Sequence, residues 1–395
     1  MKRRLLLKAG LALPAAASLA SFPGLLNAQQ GAPSGMDIHQ KRGKEPGQDT
    51  GGNAGRSYAQ PSADKPLNLP LDHGPHPDFR TEWWYFTGWF ESPELKEPLG
   101  LQITFFRSAP NIDLRNPSVF KPAQLLFAHA AVAMPGQGKL KHEQVIRRAG
   151  SSGNQLTSQP DKVLNIQMPG WQLETSNGDA WACNIQTPQL AMKLDMQQTQ
   201  QPWLQGKQGF SQKGPLPQQS SHYITLPHMK SRGQVRVAGK TLPVSGTFWM
   251  DHEWSSTVLA DNAQGWDWVG LHGNNGEALM AFQIRNREPG KPPVWTHAAL
   301  RFANGQVQNF SKVEFETLRQ WKSGRTGISY PVAQMLKLDG QTYQLEPLFD
   351  DQELDARAST GTLYWEGAVR VKSASGAPWG RGYLEMTGYD RPMQL

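Results

Sequence analysis

The segment Asp251-His252-Glu253-Trp254 places two carboxylates, an imidazole and an indole side by side. On a β-strand, alternate residues share a face. The two faces would carry Phe248, Met250, His252 and Trp254 on one side, and Trp249, Asp251 and Glu253 on the other. Because burial lowers the pKa of a histidine, His252 on an apolar face could serve as a general acid or base. All four residues of the segment are therefore candidate catalytic residues. The alternative is a hydrogen-bonded corner between two domains.

Two tryptophan-rich segments are the second candidate for a site. Glu82-Trp83-Trp84 and Gly265-Trp266-Asp267-Trp268 are each followed by an arginine, Arg107 and Arg285. A buried arginine needs a partner, so the structural interpretation pairs these arginines with Glu82 or Asp267. In the functional interpretation the aromatic surface lines a cavity for an extended apolar ligand. The candidate ligand-binding residues are Trp83, Trp84, Trp266, Asp267 and Trp268.

The other reactive residue types predict neither a cofactor nor a metal. His252 lacks the second histidine of a zincin helix, and no cluster of Cys or His has ligand spacing. The sequence contains no Gly-x-Ser-x-Gly elbow, P-loop or dinucleotide fingerprint. His129 and His297 lie in matching contexts, each two residues after an aromatic side chain, which favours a structural role. The single cysteine, Cys183, cannot form an internal disulfide and is predicted to be buried.

Short segments recur in the same order along the two halves of the chain, and they indicate the elements that position these residues. The recurring pairs are 127–132 with 295–300, 84–107 with 266–285, 171–174 with 343–346, 233–237 with 367–371, and 246–250 with 382–386. The separation within each pair is far longer than the period of a solenoid. The chain is therefore predicted to contain two related modules in tandem.

Alternating apolar and polar residues predict β-strands throughout the body of the chain. The pattern is clear at 101–107, 233–237 and 367–371. With 39 glycines and 30 prolines between such runs, many short strands are expected, as in a sandwich or barrel. Tyr383 and Glu385, beside Tyr389, are interpreted as part of a closing strand. The prediction is an all-β chain with one domain at 66–232 and a second at 233–395.

An ordered set of aromatic motifs resembles a known family. The motifs lie at 82–88, 249–255, 265–268, 364–367 and 382–389. Together they resemble the AttH-like, carotenoid 1,2-hydratase-related family from about residue 66 to the C-terminus. The resemblance implies two tandem lipocalin-like (calycin) β-barrel domains, which agrees with the internal duplication.

The same resemblance implies a chemistry. The carotenoid hydratases carry an Asp-His-x-Trp pattern, matched here by Asp251, His252 and Trp254, in which the His and Trp are implicated in catalysis. Their reaction protonates a terminal isoprene double bond and adds water to the resulting tertiary cation, which aromatic faces can stabilise. This sequence departs from the pattern in the next element, where Trp266-Asp267-Trp268 stands in place of the expected Tyr-x-Asp. That departure leaves the proton donor unassigned.

The N-terminal residues read as a targeting segment. Arg3 and Arg4 precede an apolar run that ends in a small-residue cleavage site at Ala28, so 1–28 is predicted to be a signal peptide of the twin-arginine type. The alternatives are an ordinary secretory signal and a retained membrane anchor. Residues 29–65 are rich in Gly, Ser, Pro and Gln and predict a flexible linker. The expected location is periplasmic or secreted, with no membrane-spanning segment after the signal.

Charge and motifs together give three function hypotheses. Four of the charges behind the formal net charge of +7 lie in the predicted signal, which leaves +3 and argues against a nucleic-acid partner. The first hypothesis is a binding protein that holds a long apolar molecule, a lipid or isoprenoid, in an aromatic-lined cavity. The second is an enzyme of the carotenoid 1,2-hydratase type. The third is an interaction partner in an envelope protein complex.

Overall fold

The structure is a computed structural model that describes residues 57–110, 117–118, 121–151, 153–159 and 161–393. The predicted signal, 1–28, and most of the predicted linker, 29–65, lie outside the described residues. The described end of the linker is attached to the body, because Ala59 donates its N–H to the Asp78 carbonyl and accepts from Ser256 Oγ. Within the described residues, helix is limited to two 3₁₀ turns, Leu71–His73 and Pro135–Gln137.

The described strands form two antiparallel sheets, which makes the chain all-β as predicted. The first sheet contains β1 (Thr81–Glu91), β2 (Leu99–Ser108), β3 (Leu125–Ala133), β4 (Lys141–Arg148), β5 (Gln155–Gln159), β6 (Lys162–Met168), β7 (Trp171–Thr175), β8 (Ala180–Gln186), β9 (Leu190–Gln198), β10 (Trp203–Leu204), β11 (Phe210–Gln212), β12 (Ser220–Val237) and β13 (Lys240–Ser255). Its order is β4-β3-β2-β1-β13-β12-β9-β8-β7-β6-β5, and β10 and β11 also pair with β12.

The second sheet is built from the strands that follow Ser255. It contains β14 (Ala263–Gly273), β15 (Ala278–Asn286), β16 (Trp295–Arg301), β17 (Val307–Phe310), β18 (Val313–Lys322), β19 (Ser329–Leu338), β20 (Gln341–Pro347), β21 (Glu353–Ala356), β22 (Thr362–Ser373) and β23 (Pro378–Thr387). Its order is β17-β16-β15-β14-β23-β22-β20-β19-β18, and β21 pairs with β22. Both sheets curl into half-barrels, consistent with two tandem lipocalin-like barrels.

The sheets place the division between the modules later than the predicted boundary at 232/233. That boundary falls inside β12, and β13 pairs with both β12 and β1. The two strands form a hairpin whose turn residues Ala238 and Gly239 both have positive φ, which a tight two-residue turn requires. Because this hairpin fixes β13 in the first sheet, the division lies between Ser255 and Ala263.

The internal duplication is visible in the strand order. The run β3-β2-β1-β13-β12 corresponds to β16-β15-β14-β23-β22, and four of the five recurring segment pairs fall on corresponding strands. The fifth pair does not. Residues 171–174 lie in β7, which is the third strand beyond β12, whereas 343–346 lie in β20, which is next to β22.

Three apolar clusters position the site. One fills the first half-barrel and contains Trp84, Phe248 and Cys183, the last buried as predicted. A second fills the other half-barrel. The third lies between the two sheets and includes Tyr85, Trp249 and Trp268, which explains why β1 and β13 are buried on both faces. None of the helices in the described part of the chain is long and apolar enough to span a membrane.

Candidate functional site

A cavity of about 390 Å³ lies between the two sheets. Its volume is in the range of small-molecule sites. Side chains of β1, β2, β3, β4 and β13 form one wall, and side chains of β14, β15, β22 and β23 form the other. Its half-exposed rim includes Thr81, Ser108, Leu125 and Leu259. Access is therefore from the end of the sheets at which β1 begins.

Aromatic side chains line the cavity in register across the first sheet. Trp83 is paired with Phe106, Phe106 with Phe127, and Phe127 with Ile146, and all four line the cavity. The second sheet contributes Trp266, Trp268, Phe282 and Ile284. Two residues deeper along β1, Tyr85 packs edge-on against Trp268, with ring centroids 5.3 Å apart. The walls are suited to an apolar ligand.

Asp251 lies at the inner end of the cavity with both carboxylate oxygens occupied. Tyr223 and Thr225 each donate a hydroxyl to it at 2.6 Å, and Trp268 Nε1 donates to the Tyr223 oxygen at 3.1 Å. Burial raises the pKa of Asp251 to about 7, and the charge of Glu253 adds to that rise, against the effect of the two hydroxyl donors. Asp251 can therefore gain or lose a proton near neutral pH, as a general acid or base must.

Glu366 and Glu385 form a carboxyl pair on the opposite wall. They are cross-strand neighbours in β22 and β23, where two like charges repel. Tyr85 donates to Glu366 Oε1 at 2.6 Å, while Glu366 Oε2 is buried without a hydrogen-bond partner among the described residues. Burial raises the pKa of Glu385 to about 8, and burial together with the charge of Glu385 raises the pKa of Glu366 well above its usual range. The pair therefore holds at least one proton at neutral pH.

Lys213 brings a cation to the same cavity. Its ammonium lies 3.0 Å from Glu253 Oε2, donates to Ser211 Oγ at 2.9 Å, and sits 4.4 Å from the Phe282 ring centroid. Burial lowers the pKa of Lys213, and the charge and hydrogen bond of Glu253 oppose that effect. The ion pair neutralises Glu253 and leaves the other three acids without a cation in direct contact among the described residues.

His129 joins the two sheets at another side of the cavity. Its Nδ1 lies 2.8 Å from the Tyr364 hydroxyl and its Nε2 lies 2.8 Å from Ser359 Oγ. Gln144 donates its Nε2 to the Asp355 carbonyl, so its Oε1 must accept from Ser359 at 2.7 Å. His129 Nε2 is then the donor to Ser359, and the Ser359 oxygen is not activated as a nucleophile. Burial lowers the pKa of His129 to about 3, so the ring is neutral.

His252 and Trp254 point away from this cavity, into the first half-barrel. His252 Nε2 donates to Glu82 Oε1 at 2.9 Å, and Arg107 Nε donates to Glu82 Oε2 at the same distance. His76 Nδ1 lies 2.7 Å from Glu82 Oε1, and its ring stacks on Trp254 with centroids 3.7 Å apart. Burial lowers the pKa of His252 to about 4, against the hydrogen bond and the charge of Glu82. We call this group of side chains, with Glu82 at its centre, the closed end of the first half-barrel. Its buried carboxylate is paired with Arg107.

The predicted arginine pairing is confirmed in both modules. Arg107 pairs with Glu82 through completely buried side chains. Arg285 Nε lies 3.2 Å from Asp267 Oδ1 in the second sheet, where the arginine is 19% exposed. Tyr389 donates to the same Asp267 oxygen at 3.0 Å. Asp267 and Trp84 therefore belong to these packed ends and not to the lining of the cavity.

The structure thus divides the predicted site residues into two groups. Those that line the cavity are Trp83, Asp251, Glu253, Trp266 and Trp268; those that do not are Trp84, His252, Trp254 and Asp267. The predicted alternation of faces along 248–254 is confirmed, and it causes this division. Sequence reasoning missed Lys213, Glu366 and Glu385 as site residues. The usable signal for the two glutamates was a carboxylate inside a short apolar stretch, 363–369 for Glu366 and 382–386 for Glu385.

Comparisons with known proteins agree with this architecture. A sequence profile of the AttH-like family matches residues 60–389. The crystal structure of an AttH-like protein from Nitrosomonas europaea is 42% identical, with a TM-score of 0.77, and the match covers 84% of this chain and 100% of that one. Kievitone hydratase from Nectria haematococca shares the fold at 16% identity and a TM-score of 0.62, over 85% of this chain and 98% of that one. No curated protein matches the chain.

Proposed function

The chain belongs to the AttH-like family, and we propose that it is a hydro-lyase that adds water to a carbon–carbon double bond of an apolar molecule, or removes it. The observation that carries the proposal is the Glu366–Glu385 pair, a proton-holding carboxyl pair that faces an aromatic-lined cavity. Raised carboxyl pKa values in a cleft are typical of acid–base catalysis.

The proposed addition begins with a proton from Glu385. The proton moves to one alkene carbon, the π electron pair forms the new C–H bond, and the other carbon becomes cationic. The indole faces of Trp83, Trp266 and Trp268 stabilise that cation. Water attacks the cationic carbon and gives a proton to Asp251, whose pKa of about 7 lets it accept one. Dehydration is the same sequence in reverse.

The charge balance of the cavity favours a cationic intermediate over an anionic one. Asp251, Glu253, Glu366 and Glu385 line the cavity. Of the two cations in the lining, Lys213 is paired with Glu253 and Arg107 with Glu82. A developing carbanion or enolate would find no free cation in this lining among the described residues. A carbocation would face aromatic rings and the carboxylate that Glu385 becomes when it gives up its proton. The name of the structural neighbour kievitone hydratase indicates the same class of reaction for that protein; the shared fold alone does not assign it here.

The test is isotopic. The purified protein is incubated with geraniol or farnesol, which end in a trisubstituted isoprene double bond, in ¹⁸O-labelled water, and products are examined by mass spectrometry. We expect a tertiary alcohol that has gained one labelled water, formed by the wild type and by the surface control Glu314→Gln, but not by Glu385→Gln. Failure of the wild type to hydrate either probe, or to dehydrate the corresponding tertiary alcohols, would count against the proposal.

A binding protein for a long apolar molecule is the second candidate, because the aromatic lining is independent of the acids. In that case Glu385→Gln would retain the affinity of the wild type for farnesol, and neither protein would turn it over. An envelope protein partner would instead leave the cavity unable to take up an apolar fluorescent probe. In all three cases the twin-arginine-like segment supports export, which immunoblotting of the periplasmic fraction would test.

A further inference from the structure

The closed end of the first half-barrel gathers an unusual number of histidines. His76, His222 and His252 all lie against Trp254, with centroid separations of 3.7, 5.3 and 4.7 Å. The side chains of His222 and His252 are buried, and the Nδ1 atom of each has no hydrogen-bond partner among the described residues. The cluster lies outside the cavity.

Three ligand atoms of this cluster converge. One atom each of His76, Glu82 and His252 lie within 4.8 Å of one another. Imidazole and carboxylate groups are the ligands that zinc and similar divalent ions take in proteins, at about 2.0–2.2 Å. A tetrahedral ion separates its ligand atoms by about 3.3 Å, so the 2.7 and 2.9 Å contacts of Glu82 Oε1 must each open by roughly half an ångström. His76 lies in the loop before β1, and such a segment can make that adjustment.

The surroundings of the three residues already orient them. Arg107 Nε and the His76 backbone N–H hold Glu82 Oε2, which leaves Oε1 directed at the two imidazoles. Trp84 stacks on the His252 ring, with centroids 4.7 Å apart. His76 Nε2 lies 3.4 Å from Asp72 Oδ1, the carboxylate–histidine contact that typically supports a metal-bound imidazole. The side chain of His76 is 15% exposed, which provides a path for an ion to enter.

The charges also permit a divalent ion. Glu82 and Asp72 carry two negative charges and Arg107 one positive charge, so the group with neutral imidazoles has a net charge of −1. A divalent ion would bring it to +1, the same balance as a zinc site made of two histidines and one glutamate. Each neutral imidazole would bind the ion through the nitrogen that now faces Glu82 and would keep its single proton on the other ring nitrogen.

We propose that His76, Glu82 and His252 form a binding site for a divalent transition metal of the zinc class, which fastens the loop before β1 to β1 and β13. Such a site is structural and independent of the proposed hydro-lyase function. Binding to the folded chain alone would raise its stability with metal concentration.

The experiment is metal binding to the full chain. After treatment with a chelator and dialysis, the protein is titrated with Zn²⁺, bound ions are counted by mass spectrometry, and the melting temperature is followed. We expect one ion per chain, a rise in melting temperature, and an affinity that falls by at least about 100-fold in His76→Gln and in Glu82→Gln. The matched control is His272→Gln, a half-buried histidine outside this cluster, which should bind as the wild type does.

X-ray absorption on the wild type keeps the proposal falsifiable if a variant does not fold. The proposal predicts a zinc environment of two imidazoles and one carboxylate. An absence of stoichiometric zinc, an ion bound equally by His76→Gln, or an environment without two imidazoles would each overturn it.

Discussion

Glu82 and Glu366 are both completely buried glutamates on β-strands, yet the protein shifts their pKa values in opposite directions. Burial alone raises the pKa of either group. At Glu82 the charge of His76 and hydrogen bonds from both histidines outweigh burial and hold the pKa well below its usual range. The neighbour of Glu366 is another acid, Glu385, whose charge adds to the rise in pKa that burial causes. The partners, and not the burial, decide which carboxyl keeps a proton.

The opposite pKa shifts of Glu82 and Glu366 distinguish the closed end of the first half-barrel, which is structural, from the cavity, which can react. At the closed end Glu82 is paired with Arg107 and hydrogen-bonded to two histidines, an arrangement suited to holding loop and strands together. The cavity holds protons that are not committed to a fixed acceptor. The two regions lie on opposite faces of one strand, β13, because its successive residues Asp251 and His252 point to opposite sides of the sheet.

The largest expected effect is on catalysis. Glu385→Gln removes the proton donor but preserves the shape of the side chain, so hydration of an isoprenoid probe should slow by about 10²–10⁴-fold, as for the loss of a general acid. Initial rates by gas chromatography provide the measurement. An unchanged rate would mean that the raised pKa of Glu385 has no catalytic use.

The second-largest expected effect is on the stability of the protein and concerns Glu82 at the closed end. Glu82→Ala leaves Arg107 buried without its carboxylate, which should lower the free energy of unfolding by about 3–5 kcal/mol. Glu366→Gln replaces a protonated acid by a neutral isostere and should change it by less than about 1 kcal/mol. Urea unfolding at pH 7 compares the two variants. Equal losses would contradict the distinction between paired and protonated carboxyls.

The contributions of Glu385 and Glu82 to the free energy of unfolding should change with pH in opposite directions. The folded pKa of Glu385, about 8, exceeds its ordinary value near 4.5, so its contribution is fully present below pH 4.5 and is lost as pH rises to 8. The loss is roughly 1.4 kcal/mol for each pH unit between the two values, as an upper limit. Glu82 has a lowered pKa, so its contribution is present above pH 4.5 and is lost as pH falls further.

Unfolding free energies measured from pH 3 to pH 9 check this prediction. The wild type should be most stable near pH 4.5 to 5, and Glu385→Gln should flatten only the alkaline limb. A wild type whose stability rises from pH 5 to pH 8 would contradict the assignment of protons to the cavity.

The smallest effect concerns the second module. Arg285 pairs with Asp267 as Arg107 pairs with Glu82, but its side chain is 19% exposed. Arg285→Ala should therefore cost only about 1–2 kcal/mol, between the values for buried and surface pairs. Urea unfolding of Arg107→Ala and Arg285→Ala under the same conditions gives the comparison. If Arg285→Ala lost more unfolding free energy than Arg107→Ala, the exposed fraction of the arginine would not decide which ion pair is worth more.

Local patterns in the sequence predicted much of this arrangement. Period-two alternation assigned residues 248–254 to the correct faces, and the internal duplication anticipated two similar sheets. The arginine–carboxylate pairs followed from the cost of burying an unpaired charge. Each of these inferences needs only residues on one strand or a repeated segment.

What the sequence left out depends on strand register and on the course of an irregular loop. Glu366 and Glu385 become neighbours only through the pairing of β22 with β23. His76 reaches Glu82 from an irregular loop that carries no periodic signal. The predicted boundary at 232/233 falls inside β12, because the glycine that begins a repeated segment lies within a long strand.

Infrared spectroscopy of the carboxyl groups shows whether the cavity holds protonated acids at neutral pH. At pH 7 the wild type should show the carbonyl stretch of a protonated carboxylic acid, and the band should weaken in Glu385→Gln and on titration above pH 8. A spectrum at pH 7 with only ionised carboxylates would contradict the account, because the cavity would then have no proton to give.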